Sequence, residues 1–452
     1  MSRSAWLPRV AVPLFATVSA TALAAPAQAA PVGVASVTQT TKVQFTASAG
    51  KQNRIVVTRS GSTVVIDDQF PIRAGAGCRA VAGDSTVVRC TPAKVPTQVI
   101  VLTYDGNDTI TNKTGVPMYA SGGAGNDSIG GGTAADLLGG DAGADALYGG
   151  AGNDGIWGHD GDDLISGGDG NDRIEAWTGS NRVYGGNGDD YVAVWTGVNQ
   201  IWGDAGKDTV FGSHGVDVIY GGDGPDELFG QGGDDAIGGG PGTDYLRGGD
   251  GNDRLYGDVG NDLVWGDYGD DLLSGAAGDD KLAGDNGNDQ VFGGDGFDVI
   301  DASAAENPGE KQGQGADYYS GGADNDRVDY YRYWTSPVTA DADGVKGDDG
   351  GDGEGDTIAV DVETLTGGSG DDRLTGTAGT DFLNGGPGND TLTGNGGEDH
   401  LYGDDGDDTL DGGNDQAADH LNGGDHIAVP KGDTCFRWDL DTTQDCESLV
   451  QP

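Results

Sequence analysis

Basic residues are scarce in this chain. Lys and Arg total 24 of 452 residues against 75 Asp plus Glu, a formal net charge of -51. That balance argues against nucleic acid and anionic membrane as partners, since both are polyanions. Its natural counter-charges are cations. Histidine occurs five times, at His159, His214, His400, His420 and His426, and never at a regular position. Cysteine occurs four times, with no C-x-x-C zinc spacing. A series of transition-metal sites is therefore not expected. Only 35% of residues are hydrophobic, thin for an ordinary globule of this length. No segment is long and apolar enough to span a bilayer. Low hydrophobicity with high net charge reads as disorder unless a repeat intervenes.

The first 29 residues read as a secretory signal peptide. Arg3 and Arg9 give the positive flank, Val10 to Ala25 is mostly apolar, and Ala27-Gln28-Ala29 forms an A-x-A cleavage site. Neither a twin Arg nor a lipid-accepting Cys accompanies it. The expectation is a secreted, extracellular protein without a membrane span. In that oxidising setting Cys78 with Cys90, and Cys435 with Cys446, are the favoured pairs among three connectivities.

What the chain has in abundance is glycine, 88 residues, and aspartate in a fixed spacing. From Gly122 to Asp301 it divides into twenty nine-residue units without insertion, from "GGAGNDSIG" to "GGDGFDVID". Position eight is Ile, Leu or Val in all twenty, and position four is Gly in all but one, Ala134. Position six is Asp in eighteen, Asn181 and Asn199 being the exceptions. Position one is Gly in eighteen, Ala176 and Val194 being the exceptions. Six Gly-rich residues can turn tightly. Three residues around one aliphatic make a very short strand whose neighbours point outward. Two units per coil place strands on opposite walls, so residues 18 apart stack at the strand spacing of about 4.8 Å. Position-six carboxylates then stack too, and repel by roughly 1 kcal/mol per neighbour even in water. A cation between the coils relieves this. Ca2+ suits it best, because it takes six to eight oxygens in flexible geometry.

The pattern G-G-x-G-x-D-x-U-x, with U aliphatic, resembles the nonapeptide of the RTX, or hemolysin-type, calcium-binding proteins. The resemblance implies an all-β parallel β-roll in which position-six Asp and turn carbonyls of consecutive coils share many Ca2+ ions. Carried over, the ligands are Asp127, Asp136, Asp145, Asp154, Asp163, Asp172, Asp190, Asp208, Asp217, Asp226, Asp235, Asp244, Asp253, Asp262, Asp271, Asp280, Asp289 and Asp298. Two units in 312–329 add Asp317 and Asp326. Five in 367–411 add Asp372, Asp381, Asp390, Asp399 and Asp408. A last, longer unit at 412–422 puts Asp419 and Leu421 in the acid and aliphatic slots.

The remaining segments surround this array. The domains read as a signal peptide at 1–29, an N-terminal β cap leading into the roll at 30–121, and the main RTX roll at 122–301. An interrupted region at 302–366, a second RTX block at 367–422 and a C-terminal cap at 423–452 follow. Residues 40–102 alternate apolar and polar, as short antiparallel strands do. Both ends need caps, because an open solenoid end exposes apolar residues and strand edges. The C-terminal one is closed by its disulfide. Similar caps occur in secreted actinobacterial proteins, which points to that kind of source. The acidic stretch 341–356, "DADGVKGDDGGDGEGD", has no nonapeptide register and reads as a solvated linker or as an irregular Ca2+ site.

No catalytic constellation stands out. H-E-x-x-H and G-x-S-x-G are absent, and Ser48-x-x-Lys51 with Lys113-Thr114-Gly115 lacks the S-D-N and helical domain of a serine β-lactamase. The chain is expected not to be an enzyme. Two roles follow: a calcium-binding structural or adhesive protein, or a carbohydrate-binding surface akin to the epimerase modules. Extracellular glycans or cell-wall polymer are the candidate partners of the second. Its candidate surface is a wall of outward rings, Tyr148, Tyr184, Trp202, Tyr220, Tyr256 and Phe292, which equally can stack on one another. The paired departures at 176–184 and 194–202 suggest a metal-poor window. There Trp177 lies over Trp195, and Asn181 over Asn199.

Overall fold

The computed structural model describes residues 32–302, 315–330, 336–351, 354–424, 432–437, 440–446 and 448–450. The expected signal peptide lies outside them, as do parts of the interrupted region and of the C-terminal segment. Every regular element among the described residues is a β-strand. No helix among them is long and apolar enough to cross a membrane.

The nonapeptides wind into a parallel β-solenoid. Leu138 pairs with Ile156, and Ile129 with Leu147, each 18 residues on. The aliphatic residues of successive coils are thus superposed, and each is essentially inaccessible to solvent. They form two facing columns that merge into one hydrophobic core running from the N-terminal strands to Cys435. Burying a Leu or Ile side chain contributes roughly 1.5–3 kcal/mol. A single coil has two of them, so stability comes from stacking.

Most strands of the main roll have six residues, not the three the spacing suggests. Leu137–Ala142 is typical. Pairing continues through positions one to three of the next unit, and the Gly125 amide still donates to the Ala142 carbonyl at 2.7 Å. In the second block the strands do have three residues, as in Arg373–Thr375.

One wall is a single 21-stranded sheet. The opposite wall is in two parts. Its first part ends on Thr357–Ile358, paired with Tyr318–Ala323. A separate six-stranded sheet begins with Thr339–Asp341, paired with Arg373–Thr375. The acidic stretch lies at this seam: 343–348 are exposed, as in a solvated linker, but Asp349 and Asp356 are not. Asp349 and Asp356 are 3% and 1% exposed. Asp349 accepts from the amides of Asp341 at 2.7 Å and Ile358 at 2.9 Å. The buried Tyr330 hydroxyl donates to Asp356 at 3.2 Å.

Most pairs among the N-terminal strands are antiparallel, as in Gly33–Thr38 with Lys42–Thr46 and Thr63–Asp67 with Asp84–Cys90, while Gly33–Thr38 pairs parallel with Ile72–Ala74. Two also pair parallel into the roll: Lys42–Thr46 with Gln98–Leu102, and Arg54–Ser60 with Thr109–Asn112. Cys78 and Cys90 face each other across an antiparallel pair and are disulfide-bonded. At the other end Thr434–Phe436 and Ser448–Val450 prolong one wall and Thr442–Gln444 the other. Cys435 fills the aliphatic slot there and is bonded to Cys446.

Candidate metal centres along the turns

Each strand is preceded by its position-six acid, so the parallel register stacks these acids at both edges of the roll. All 25 acids named from the repeat are buried except Asp317, which is half-buried. The backbone holds them in ladders. The amide of Asp235 donates to Oδ1 of Asp253, and that of Asp253 to Oδ1 of Asp271, each at 2.7 Å. The same link recurs along both edges. It runs past the array from Asp289 to Asp317 and from Asp298 to Asp326, at 2.8 and 2.9 Å.

One carboxylate oxygen is thereby satisfied and the other is not. At 21 of the 25 acids the buried Oδ2 has no hydrogen-bond donor. These oxygens lie beside position one, which explains the glycine there. A Cβ added to Gly239 would fall 2.5 Å from Asp244 Oδ2 and 2.8 Å from the Gly257 carbonyl oxygen, one coil on. A side chain and a carboxylate cannot share that space. In most turns position two has a left-handed conformation, in several even where it is not Gly: Asp141, His159, Asp204 and Gln231 have φ of 70 to 77°.

Burial makes these carboxylates hard to ionise. It raises Asp127 and Asp136 to about 7, and neighbouring acids add to the rise. Asp190, Asp235 and Asp289 are raised to about 8 by burial first, opposed by the amide bond to Oδ1 and increased by the acids above and below. An isolated buried charge is costly unless it is paired or coordinates a metal. The donor set is carboxylate with turn carbonyl, and contains no His or Cys. Such hard oxygens in a flexible turn fit Ca2+.

Four acids differ. Asp217 Oδ2 accepts from the Ser213 amide at 2.6 Å, and Asp317 Oδ2 from the Tyr319 hydroxyl at 3.0 Å. Asp372 and Asp381 accept from the amides of Gly368 and Thr377, each at 2.7 Å. The two Asn form the expected ladder. The Asn181 side-chain amide donates to Asn199 Oδ1 at 3.1 Å, and that of Asn199 to Asp217 Oδ1 at 2.8 Å. Beside them Trp177 and Trp195 stack, with ring centroids 5.4 Å apart.

Some rungs lie outside the nonapeptide pattern. Asp108 donates to Asp127 Oδ1 at 2.6 Å, and Asp408 to Asp433 Oδ1 at 2.7 Å. Asp317 donates to Asp356 at 3.1 Å, and Asp326 to the Glu363 carboxylate at the same distance. A shorter signal finds them: an acid, then Thr, then an apolar residue, as in Asp108-Thr109-Ile110, Asp356-Thr357-Ile358, Glu363-Thr364-Leu365 and Asp433-Thr434-Cys435.

Fold and turns together define a parallel β-roll with acid ladders of the calcium-binding kind. The model of the RTX calcium-binding nonapeptide repeat (4 copies) matches in successive stretches over 121–192, 196–300, 313–329 and 361–417, more than half of the chain. The chain therefore belongs to the RTX calcium-binding repeat family. No curated protein matches it significantly.

Proposed function

We propose that this is a secreted, non-catalytic structural protein whose roll is completed by calcium outside the cell. The carrying observation is the pair of edge ladders in which buried Oδ2 atoms have no donor. When bound, Ca2+ supplies the positive charge that these oxygens lack. The Asp residues hold it, and the glycines at position one keep the space beside each carboxylate open. The residues at 1–29 and the two disulfides support secretion. An adhesive or scaffolding role suits a long, rigid, repetitive surface.

The aromatic wall favours stiffening over sugar binding. Tyr184 and Trp202 stack at 4.7 Å, and Trp202 and Tyr220 at 6.2 Å. The opposite wall carries a second run, Tyr191, Phe211, Phe229, Tyr245 and Trp265, with centroids 4.8 to 5.7 Å apart. Such contacts are worth about 0.5–1.5 kcal/mol per pair beyond area burial. The test is a calcium titration followed by far-UV circular dichroism. Strand signal should rise with millimolar calcium and collapse in chelator. A β signal that chelator leaves unchanged overturns the proposal. So does calcium-independent turnover of a substrate by the purified chain.

A further inference from the structure

Position two sorts the turns into two kinds. In seventeen of the twenty units of the main roll it has positive φ, and in all seventeen no donor reaches Oδ2 of the following Asp. In the other three it is Trp177, Trp195 or Ser213, none of which has positive φ. Gly368 and Thr377, in the second block, also lack it, whereas Gly386, Asn395 and Asp404 have it. Where φ is not positive and the acid is Asp, the position-two N–H points at Oδ2, as at Asp217, Asp372 and Asp381. N–H and C=O of a trans peptide point in opposite directions. A turn that aims this N–H at the carboxylate therefore turns the preceding carbonyl away.

We propose that five repeats take no cation: 176–184, 194–202, 212–220, 367–375 and 376–384. This rests on the calcium reading and divides the ladders it describes. At the first two repeats three changes coincide. Position six is an amide, position two has lost its left-handed turn, and position one carries a buried side chain, Ala176 or Val194. Those side chains occupy the space that Oδ2 takes beside Gly in an open turn. At 212–220 the acid remains, but the Ser213 amide satisfies it, and the Ser213 hydroxyl accepts from the Gly215 amide at 3.0 Å. These three lie on consecutive coils of one edge and make a girdle held by protein hydrogen bonds alone. Residues 367–384 form a coil closed at both edges, where the interrupted wall restarts. Conversely Asp419, outside the matched repeats, has an open turn: Gly413 has φ of 115°, and no donor reaches Asp419 Oδ2.

The test compares neighbours on one ladder. Asp217→Asn and Asp235→Asn are one coil apart, and the chain already accepts Asn in this stack at Asn181 and Asn199. Bound calcium is counted by equilibrium dialysis of the full chain, with circular dichroism at saturating calcium checking the fold. Asp235→Asn should lose at least one ion per chain and Asp217→Asn none. Asp372→Asn against Asp390→Asn repeats the comparison in the second block. Equal losses within both pairs overturn the sorting and leave the calcium reading standing. If the wild-type chain binds no calcium, the calcium reading falls and the sorting with it.

Discussion

The coils between residues 176 and 229 have two unlike edges. On one, Asn181, Asn199 and Asp217 are tied by amide donors. On the other, Asp190, Asp208 and Asp226 each bury an oxygen that no donor reaches. The aliphatic columns between are alike, with Val183, Val192 and Ile201 equally buried. Packing of these columns therefore does not distinguish the edges. What differs is whether a turn meets its own electrostatic need or leaves it to an ion.

Chelation should widen this difference most. Metal-free open turns stack unscreened carboxylates, so their coils should lose protection cooperatively with their neighbours. Hydrogen exchange read by mass spectrometry after chelation is expected to be fastest over 221–298 and slowest over 364–384. Uniform exchange along the chain would erase the distinction between open and closed coils.

Protons should partly replace the ion. The folded pKa of Asp190, Asp235 and Asp289 is about 8 against an ordinary 3.8, so the folded state binds more protons in between. Stability of the calcium-free roll then falls as pH rises from about 4 to about 8, and recovers on acidification. Circular dichroism of the dialysed chain should show strand signal returning as pH drops from 8 to 5. With saturating calcium at neutral pH and above, the carboxylates are already compensated and that dependence should flatten. An equal slope with and without calcium would separate the carboxylates from the ion.

A single methyl probes the same contrast. Gly239→Ala places Cβ against the Gly257 carbonyl and against Oδ2 of Asp244, whose carboxylate is tied through Oδ1 to the Asp226 amide at 2.8 Å. Overpacking of this kind costs about 1–3 kcal/mol, with calcium lost at that turn. Ala176→Gly reverses the change in a closed turn and should cost roughly 0.5–1 kcal/mol through backbone freedom, leaving bound calcium unaltered. Urea denaturation at saturating calcium reads both. Equal costs would mean that position one does not guard the carboxylate.

Much of this architecture is legible in the sequence, because the roll repeats one local rule. Register, facing aliphatic columns and the stacks at Trp177 and Asn181 follow from an 18-residue period, and both disulfides from the closeness of each cysteine pair along the chain. The sign of φ at position two does not. Glycine accepts either sign, so Gly368 and Gly386 look alike in sequence yet differ in the fold. Trp177, Trp195 and Thr377 carry a partial signal, since bulky and β-branched residues resist positive φ. The buried acids of the seam are hidden for another reason. Asp349 is placed by the amides of Asp341 and Ile358, outside any nonapeptide, so composition alone makes it look solvated, whereas Asp356 joins the Asp317 rung and shows only the shorter acid-Thr-apolar signal.

The smallest expected effect tests whether the girdle's tryptophans carry stability or merely tolerate exposure. Trp195 is 57% exposed and stacks on Trp177 at an interplanar angle of 19°. His159 meets the other side of Trp177, edge to face, at 4.8 Å. Removing one end of that short column by Trp195→Ala leaves the Asn ladder and the Asp217 bonds in place. The loss is then one aromatic contact, about 0.5–1.5 kcal/mol, with the calcium count unchanged. A loss of several kcal/mol would instead make the ring stack, and not the amide ladder, the girdle's principal support. Asn199→Ala separates the two, because it breaks hydrogen bonds on both sides of one rung while sparing the rings. If the ladder is the support, this variant should be the less stable of the pair in urea.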